Sequence, residues 1–281
     1  MLTFVQKTIG IASRYNGFAK NRYTEGDAMP RTMLTDNAWK KLKNVLKESG
    51  RVYNKYEHRN TLEGILYRMR TGIQWRDLPP EFGLWNTIFR RFNLWSKKGV
   101  LEKLLSTLAK ESDTEWLFID GSIVKAHQDS ARSGRKDEEA IGKSRGGNST
   151  KIHLAVDSGG LPVYFELSGG QVNDIVHAES LISHASTAQH VVADKGYDSE
   201  VLRDFIENKG SQSQIPRKQN SRIGNSQMEW CLYRYRHLVE NAFMKIKKYR
   251  AVATRYDKLA RNYRSIVALA FVMMWLPMYC D

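Results

Sequence analysis

Cysteine is scarce in this chain: Cys231 and Cys280 are the whole supply among 281 residues. Neither belongs to a Cys-x-x-Cys pair, so a disulfide framework and a cysteine zinc site are both unexpected, and a reducing cytoplasm suits the chain. Long apolar runs are missing too. The longest, Ile266 to Met278, is interrupted by Pro277 and falls short of the ~20 residues that span a bilayer. It reads as a buried C-terminal helix, and no membrane partner is expected. Residues 1–28 have no long apolar core and no small-residue cleavage site, which argues against a signal peptide. Basic and poorly periodic, they read as a flexible arm or a start-site artefact, with Met29 or Met33 the more natural beginning. Acid is also short, with 44 Lys and Arg against 30 Asp and Glu, a net charge of +14. An excess that large favours a polyanionic partner, and nucleic acid is the commonest. Apolar residues make up 41%, enough for a substantial core.

Residues 29–112 carry a helical pattern. Thr35 is a good N-cap before "DNAWKKLKNVL", where Trp39, Leu42 and Leu46 follow helical spacing. Asn60 is positioned to cap a second helix with Leu62, Ile65, Leu66 and Met69 on one face. Pro79 and Pro80 break the pattern. A third helix through "LWNTIFRRFNLWSKKG" interleaves Trp85, Phe89, Phe92 and Trp95 with Arg90, Arg91, Lys97 and Lys98. Gly99 ends it, and "VLEKLLSTLAK" makes a fourth. Short helices with basic residues outside resemble a helix-turn-helix module, with Arg90 and Arg91 as DNA contacts. A plain helical bundle with a solvated basic face would share the pattern.

From about residue 113 to 281 the texture changes. "WLFID" predicts a short strand ending at Asp120, and "SIVKAH" either continues it or pairs with it. "KIHLAV" and "LPVYFEL" are rich in β-branched and aromatic residues and joined by "DSGG", a hairpin signal that makes Asp157 a turn residue. "HVVAD" predicts a strand ending at Asp194. Helices are expected at about 177–186 and 199–208, with Asp198 as N-cap or turn residue, and "SQIP" is a fifth strand. One long helix is expected from Gln227 to Tyr249. Residues 128–150, rich in Gly, Ser, Lys and Arg, read as a mobile basic loop. The fold class is therefore α/β, a mixed five-stranded sheet flanked by helices and preceded by a small all-helical domain. His127 and His153 are expected on strands as core or rim residues.

An acid at a strand end often lines a crevice, although a single one is as often a turn former. The third acid strengthens the case. Tyr233, Arg236, Glu240 and Lys247 share one expected helix and fall within a sector of roughly 60° at about 100° per residue. Val239, Ala242, Phe243 and Ile246 cluster on another side. Three carboxylates drawn from two strand ends and a helix form an oxygen-only donor set, which suits Mg²⁺ or Mn²⁺. A pair of such ions can activate an attacking oxygen and stabilise a leaving one on a phosphodiester.

Tyr-x2-Arg-x3-Glu-x6-Lys, filled by Tyr233, Arg236, Glu240 and Lys247, resembles the motif around the third acid of DDE transposases of bacterial insertion sequences. "WRDLPPEFGLW", "FIDGSIVKAH", "GGNSTKIHLAVD", "ADKGYDS" and "RYDKLARNYRSIVALA" resemble, in the same order, the group called the fifth insertion-sequence family. The likeness covers about Leu34 to Pro277, and residues 1–28 have no counterpart in it. It implies a ribonuclease-H-like catalytic domain using two Mg²⁺ or Mn²⁺ ions, and cleavage and joining of double-stranded DNA at transposon ends. Asp120, Asp194 and Glu240 would be the catalytic acids and metal ligands. Arg236 and Lys247 would contact phosphates, Tyr233 would orient a strand or a flipped base, and Lys195 would touch DNA. A homodimer on DNA follows from the need to pair two ends, and a bacterial, nucleoid-associated location from the substrate. Two rivals remain open at this point: a non-catalytic DNA-binding regulator derived from a transposase, and a ribonuclease-H-like nuclease that hydrolyses without joining.

Overall fold

A computed structural model of the chain describes residues 30–48, 57–130, 139–185, 188–219 and 221–279. The described residues from Thr32 onward form one compact unit. The expected arm 1–28 lies outside the described residues, as do residues 131–138 of the expected basic loop.

Four helices open the described chain: α1 (Asp36–Glu48), α2 (Glu57–Thr71), α3 (Trp85–Lys97) and α4 (Val100–Leu108). Thr35 caps α1 as expected, its Oγ1 accepting from the Ala38 amide at 3.2 Å. Asn60 does not cap α2, because the helix already runs at Glu57. Leu62, Ile65, Leu66 and Met69 are all fully buried along α2. Glu63, on the same helix, reaches back to take the amides of Met33 and Leu34 at 2.8 and 2.9 Å. That buried carboxylate fixes how the chain enters α1, satisfying donors that no strand or helix serves. The proline break appears as short 3-10 turns at Trp75–Asp77 and Pro80–Phe82.

The sheet begins with β1 (Trp116–Ala126), followed by β2 (Gly142–Ser144), β3 (Gly147–Val156), β4 (Pro162–Gly169), β5 (His190–Val192), β6 (Gln212–Gln214) and β7 (Thr254–Arg255). The five expected strands are present, with β2 and β7 as two short additions. β4, β3 and β1 are antiparallel neighbours, whereas β1, β5 and β6 run parallel. Helices α5 (Ala178–Ser183) and α6 (Glu200–Asn208) lie between β4 and β6 in sequence. Part of the expected basic loop is ordered instead: β2 and the start of β3 form a hairpin, Lys143 opposite Asn148.

Alternation along β1 separates two cores, as the two-residue period of a strand requires. Phe118 and Val124 join Ile152, Leu154 and Val156 in one cluster with the helices of both halves of the chain. Leu117, Ile119 and Ala155 join the residues of α5 and α6 in the other. The first cluster is built around α10 (Ala260–Trp275), which buries eight successive residues, Ser265 to Val272. A helix apolar on nearly every side belongs inside a protein. It packs against α3, α4 and β4, so the core continues across the change of texture at residues 112/113. Each fully buried leucine or phenylalanine here contributes about 1.5–3 kcal/mol relative to exposure. Among the described residues, no helix is long and apolar enough to cross a membrane.

Candidate active site

Asp120 is not at the end of its strand. "SIVKAH" continues β1, and the acid sits mid-strand. Its exposure comes from the neighbour. β5 pairs with Trp116, Leu117 and Phe118 and stops at Val192, and β7 joins only at Lys125. Among the described residues, the outer edge of β1 between Ile119 and Val124 has no strand partner. Phe118 lies opposite Val192 in parallel register, and two residues further along each chain stand Asp120 and Asp194, near enough for the Asp194 charge to act on Asp120. Parallel strands keep paired residues on the same face. Asp194 then caps a 3-10 turn, Lys195–Tyr197, accepting from the Gly196 amide at 2.7 Å.

The expected long helix is divided. α7 (Trp230–Tyr233) passes through a 3-10 turn at Arg234–Arg236 into α8 (His237–Lys247). A 3-10 residue advances by about 120° in place of 100°, so Tyr233 and Arg236, three residues apart, stay on one side across the turn. Arg236 Nη2 donates to Glu240 Oε1, and Arg236 Nη1 lies 3.5 Å from Asp120 Oδ2. Lys247 Nζ donates to Ser122 Oγ at 2.6 Å and to the Ile123 carbonyl at 3.2 Å. Ile123 belongs to the stretch of β1 without an outer partner strand, so the ammonium serves a carbonyl there. α8 is held against the sheet by Val239, Ala242 and Ile246, all fully buried. Tyr233 is half-buried against the first core, its ring 5.8 Å from that of Trp230.

Burial pushes the Asp120 carboxyl up to about 6, and the charges of Asp194 and Asp174 add to the rise. The Gly121 amide, 2.7 Å from Oδ1, and the Arg236 guanidinium oppose it. Burial alone would lower the Arg236 guanidinium, but its bond to Glu240 outweighs that and holds it above its ordinary range. Burial lowers the Lys247 ammonium. The cluster thus concentrates negative charge that a cation would relieve.

Other expected residues fall elsewhere. Lys195 and Arg90 are exposed, whereas Arg91 is turned inward and bonds His58 Nδ1 at 2.7 Å. Asp198 is the turn residue and not the N-cap: its amide closes the 3-10 turn onto the Lys195 carbonyl, while its carboxylate holds the Arg203 guanidinium at 2.8 Å and accepts from the Lys218 amide. Asp157 is the expected turn residue, taking the amides of Gly159 and Leu161. His153 is fully buried on β3. His127 lies just past β1 and stacks on Tyr256 at 4.5 Å.

Two features escaped sequence reasoning. Arg255 is fully buried, donating to Thr150 Oγ1 and to the carbonyls of Ala140, Asp257 and Lys258. It ties the residues after β7 to those before β2, which gives the "RYDKLARNYRS" block a structural role. Asp174 stands beside Gly121, in a stretch with no spacing pattern to reveal it.

The donors around Asp120 are carboxylate oxygens, the chemistry that Mg²⁺ or Mn²⁺ prefers. Among the described residues, no group of three His, Cys, Asp or Glu side chains is closed tightly enough to hold a metal as it stands. Glu240 is bonded to Arg236, whose guanidinium also lies 3.5 Å from Asp120.

Two family models match the chain. "Putative transposase of IS4/5 family" matches residues 34–105, and "Transposase DDE domain" matches residues 111–275. The chain is 35% identical over 128 residues to a "Putative transposase for insertion sequence element IS6501" of Brucella ovis, covering 46% of this chain and 98% of that one. It is 28% identical over 152 residues to a "Putative transposase for insertion sequence element IS402" of Burkholderia cepacia, covering 50% and 69%. A solved piggyBac transposase complex is similar at 13% identity and a TM-score of 0.34, over 72% of this chain and 46% of that one; a likeness that low adds nothing to the reading of the site. With the DDE model running from β1's approach to the end of α10, the chain belongs to the DDE transposase family.

Proposed function

We propose that this transposase cuts and joins DNA at the terminal inverted repeats of its insertion sequence, with Asp120, Asp194 and Glu240 as its catalytic acids. One observation carries the reading. The parallel register of β1 and β5 brings Asp120 and Asp194 near one another where the sheet edge opens, and Arg236 links Glu240 to Asp120. Asp120, Asp194 and Glu240 would together hold two divalent ions. Bound there, such ions supply Lewis acidity to the attacking and leaving oxygens of an in-line displacement.

The chain's own residues do the positioning. Arg236 leaves Glu240 for a DNA phosphate, a geometry that a guanidinium fork suits. Lys247, lowered by burial, holds β1 through Ser122 and lies beside the backbone of the scissile strand. Tyr233 and Lys195 contact the same DNA, and Arg90 extends the basic surface over α3. Water first attacks the phosphodiester at the element's end and a 3′-hydroxyl leaves. That hydroxyl then attacks a target phosphodiester, forming one P–O bond as another breaks. Because two ends must meet, the working form is a dimer on DNA.

The test uses the full chain, Mg²⁺ and a duplex carrying the cognate terminal repeat. A second duplex with a pre-cut 3′-hydroxyl end asks for joining alone. Release of a 3′-hydroxyl end and its transfer to target support the reading. Cleavage without joining would make the protein a nuclease, and binding without either a regulator.

A further inference from the structure

Asp120 and Gly121 face opposite sides of the sheet, because side chains alternate along a strand. Behind Asp120, therefore, lies the space where Gly121 has no side chain. Asp174 fills it: a methyl group on Gly121 would stand 1.8 Å from Asp174 Oδ1. Asp174 opens the 3-10 turn Asp174–His177 that follows β4. Its other oxygen takes the Lys151 ammonium at 3.1 Å, and Lys151 also donates to the Val172 carbonyl at 2.7 Å. His153 Nδ1 stands 3.4 Å from Oδ1.

The support extends further back. His153 stacks on His177 with ring centroids 4.0 Å apart and meets Ser168 Oγ at 2.7 Å. His177 faces Glu166 at 2.5 Å, and Glu166 also accepts from Ser180. A second group points to the same place. The Tyr197 hydroxyl is buried without a hydrogen-bond partner among the described residues. It lies within the influence of Asp174, Asp120 and Asp194.

The mechanical need is clear. Among the described residues, residues 119–124 of β1 have a strand on one edge only, and an unpartnered edge breathes more readily than a paired one. We propose that Asp174, carried by Lys151 and His153 and admitted by Gly121, is a positioning residue that braces β1 from behind and holds Asp120 in place for cation binding. The inference rests on Asp120 being a catalytic acid.

The experiment uses the full chain without DNA. Hydrogen exchange is followed at the amides of residues 119–123, and Mn²⁺ binding by electron paramagnetic resonance, for wild type, Asp174→Asn, Asp174→Ala, Gly121→Ala and the Asp174→Ala/Gly121→Ala double variant. Groups that orient metal ligands typically cost ~10–100-fold in affinity when removed. Asp174→Asn is expected to weaken Mn²⁺ about tenfold and to speed exchange at residues 119–123 while the amides of α2 stay protected. Gly121→Ala should behave alike, and in the Asp174→Ala background it should add no further loss, since the clash is gone. Wild-type exchange and Mn²⁺ affinity in Asp174→Asn would overturn the proposal, as would additive effects in the double variant. If Asp174→Asn does not fold, the double variant, which refills the space with a methyl group, carries the same comparison. Wild-type protein that binds no Mn²⁺ would count against the catalytic reading, and the exchange data would still decide this one.

Discussion

Arg236 stands between two of the three acids, bonded to Glu240 and 3.5 Å from Asp120. The guanidinium neutralises carboxylates that would otherwise repel one another, and it competes with any metal ion for them. Replacing Arg236 with Gln should therefore tighten Mn²⁺ binding several-fold in the absence of DNA, because two acids lose their internal cation. DNA cleavage should fall in the same variant. Calorimetry on the metal and a cleavage assay read the two effects separately; weaker metal binding would contradict this role.

Asp120 makes stability depend on pH. The folded carboxyl keeps its proton up to about pH 6, while its ordinary value is 3.8. Between those values the folded state binds more protons than the unfolded one, so stability falls as pH rises through 4 to 6. A shift of this size corresponds to on the order of 3 kcal/mol. Asp120→Asn removes the cost. Without metal, the variant should be more stable than wild type at pH 7.5, and the two should converge below pH 4. Urea unfolding at both pH values checks this; a difference that does not change with pH would refute it.

Neighbouring arginines on α3 should separate cleanly. Arg91 is spent on His58, so Arg91→Ala should cost about 1–2 kcal/mol of stability and leave the salt dependence of DNA binding unchanged. Arg90 is exposed. Arg90→Ala should keep the melting temperature and reduce the salt slope of binding by about 1. The reverse pattern would remove this helix from the DNA surface.

Lys247 should show a mixed effect. Its bonds to Ser122 and Ile123 hold α8 to β1, so Lys247→Met should speed amide exchange in β1 as well as slow cleavage. Ser122→Ala removes only one partner and should leave exchange near wild type. Unchanged exchange in Lys247→Met would assign the ammonium to DNA alone.

Much of this site was legible because chemistry-bearing residues sit in local patterns. The Arg236–Glu240 pair and the strand before Asp194 follow from spacing and from β-branched runs. The position of Asp120 within β1 did not, because nothing in "WLFIDGSIVKA" marks where a neighbouring strand stops. That depends on β5 ending at Val192, a long-range fact. The 3-10 turn at Arg234–Arg236 was invisible for a related reason: helical spacing reads alike in both forms over three residues. Asp174 and Arg255 were missed because their partners lie far away in the chain, at Lys151 and Ala140. Asn60 misled because a good capping residue also tolerates a helix interior when its neighbours are buried, as Thr61 and Leu62 are.

The most direct test of the account replaces each acid singly with alanine and assays the purified full chain, with Mg²⁺, on DNA bearing the terminal repeat. Asp120→Ala, Asp194→Ala and Glu240→Ala should each fold, bind the repeat and lose cleavage and strand transfer by at least about a thousandfold, the scale on which groups acting as a unit fail. Full cleavage by any one of the three would remove that acid from the site.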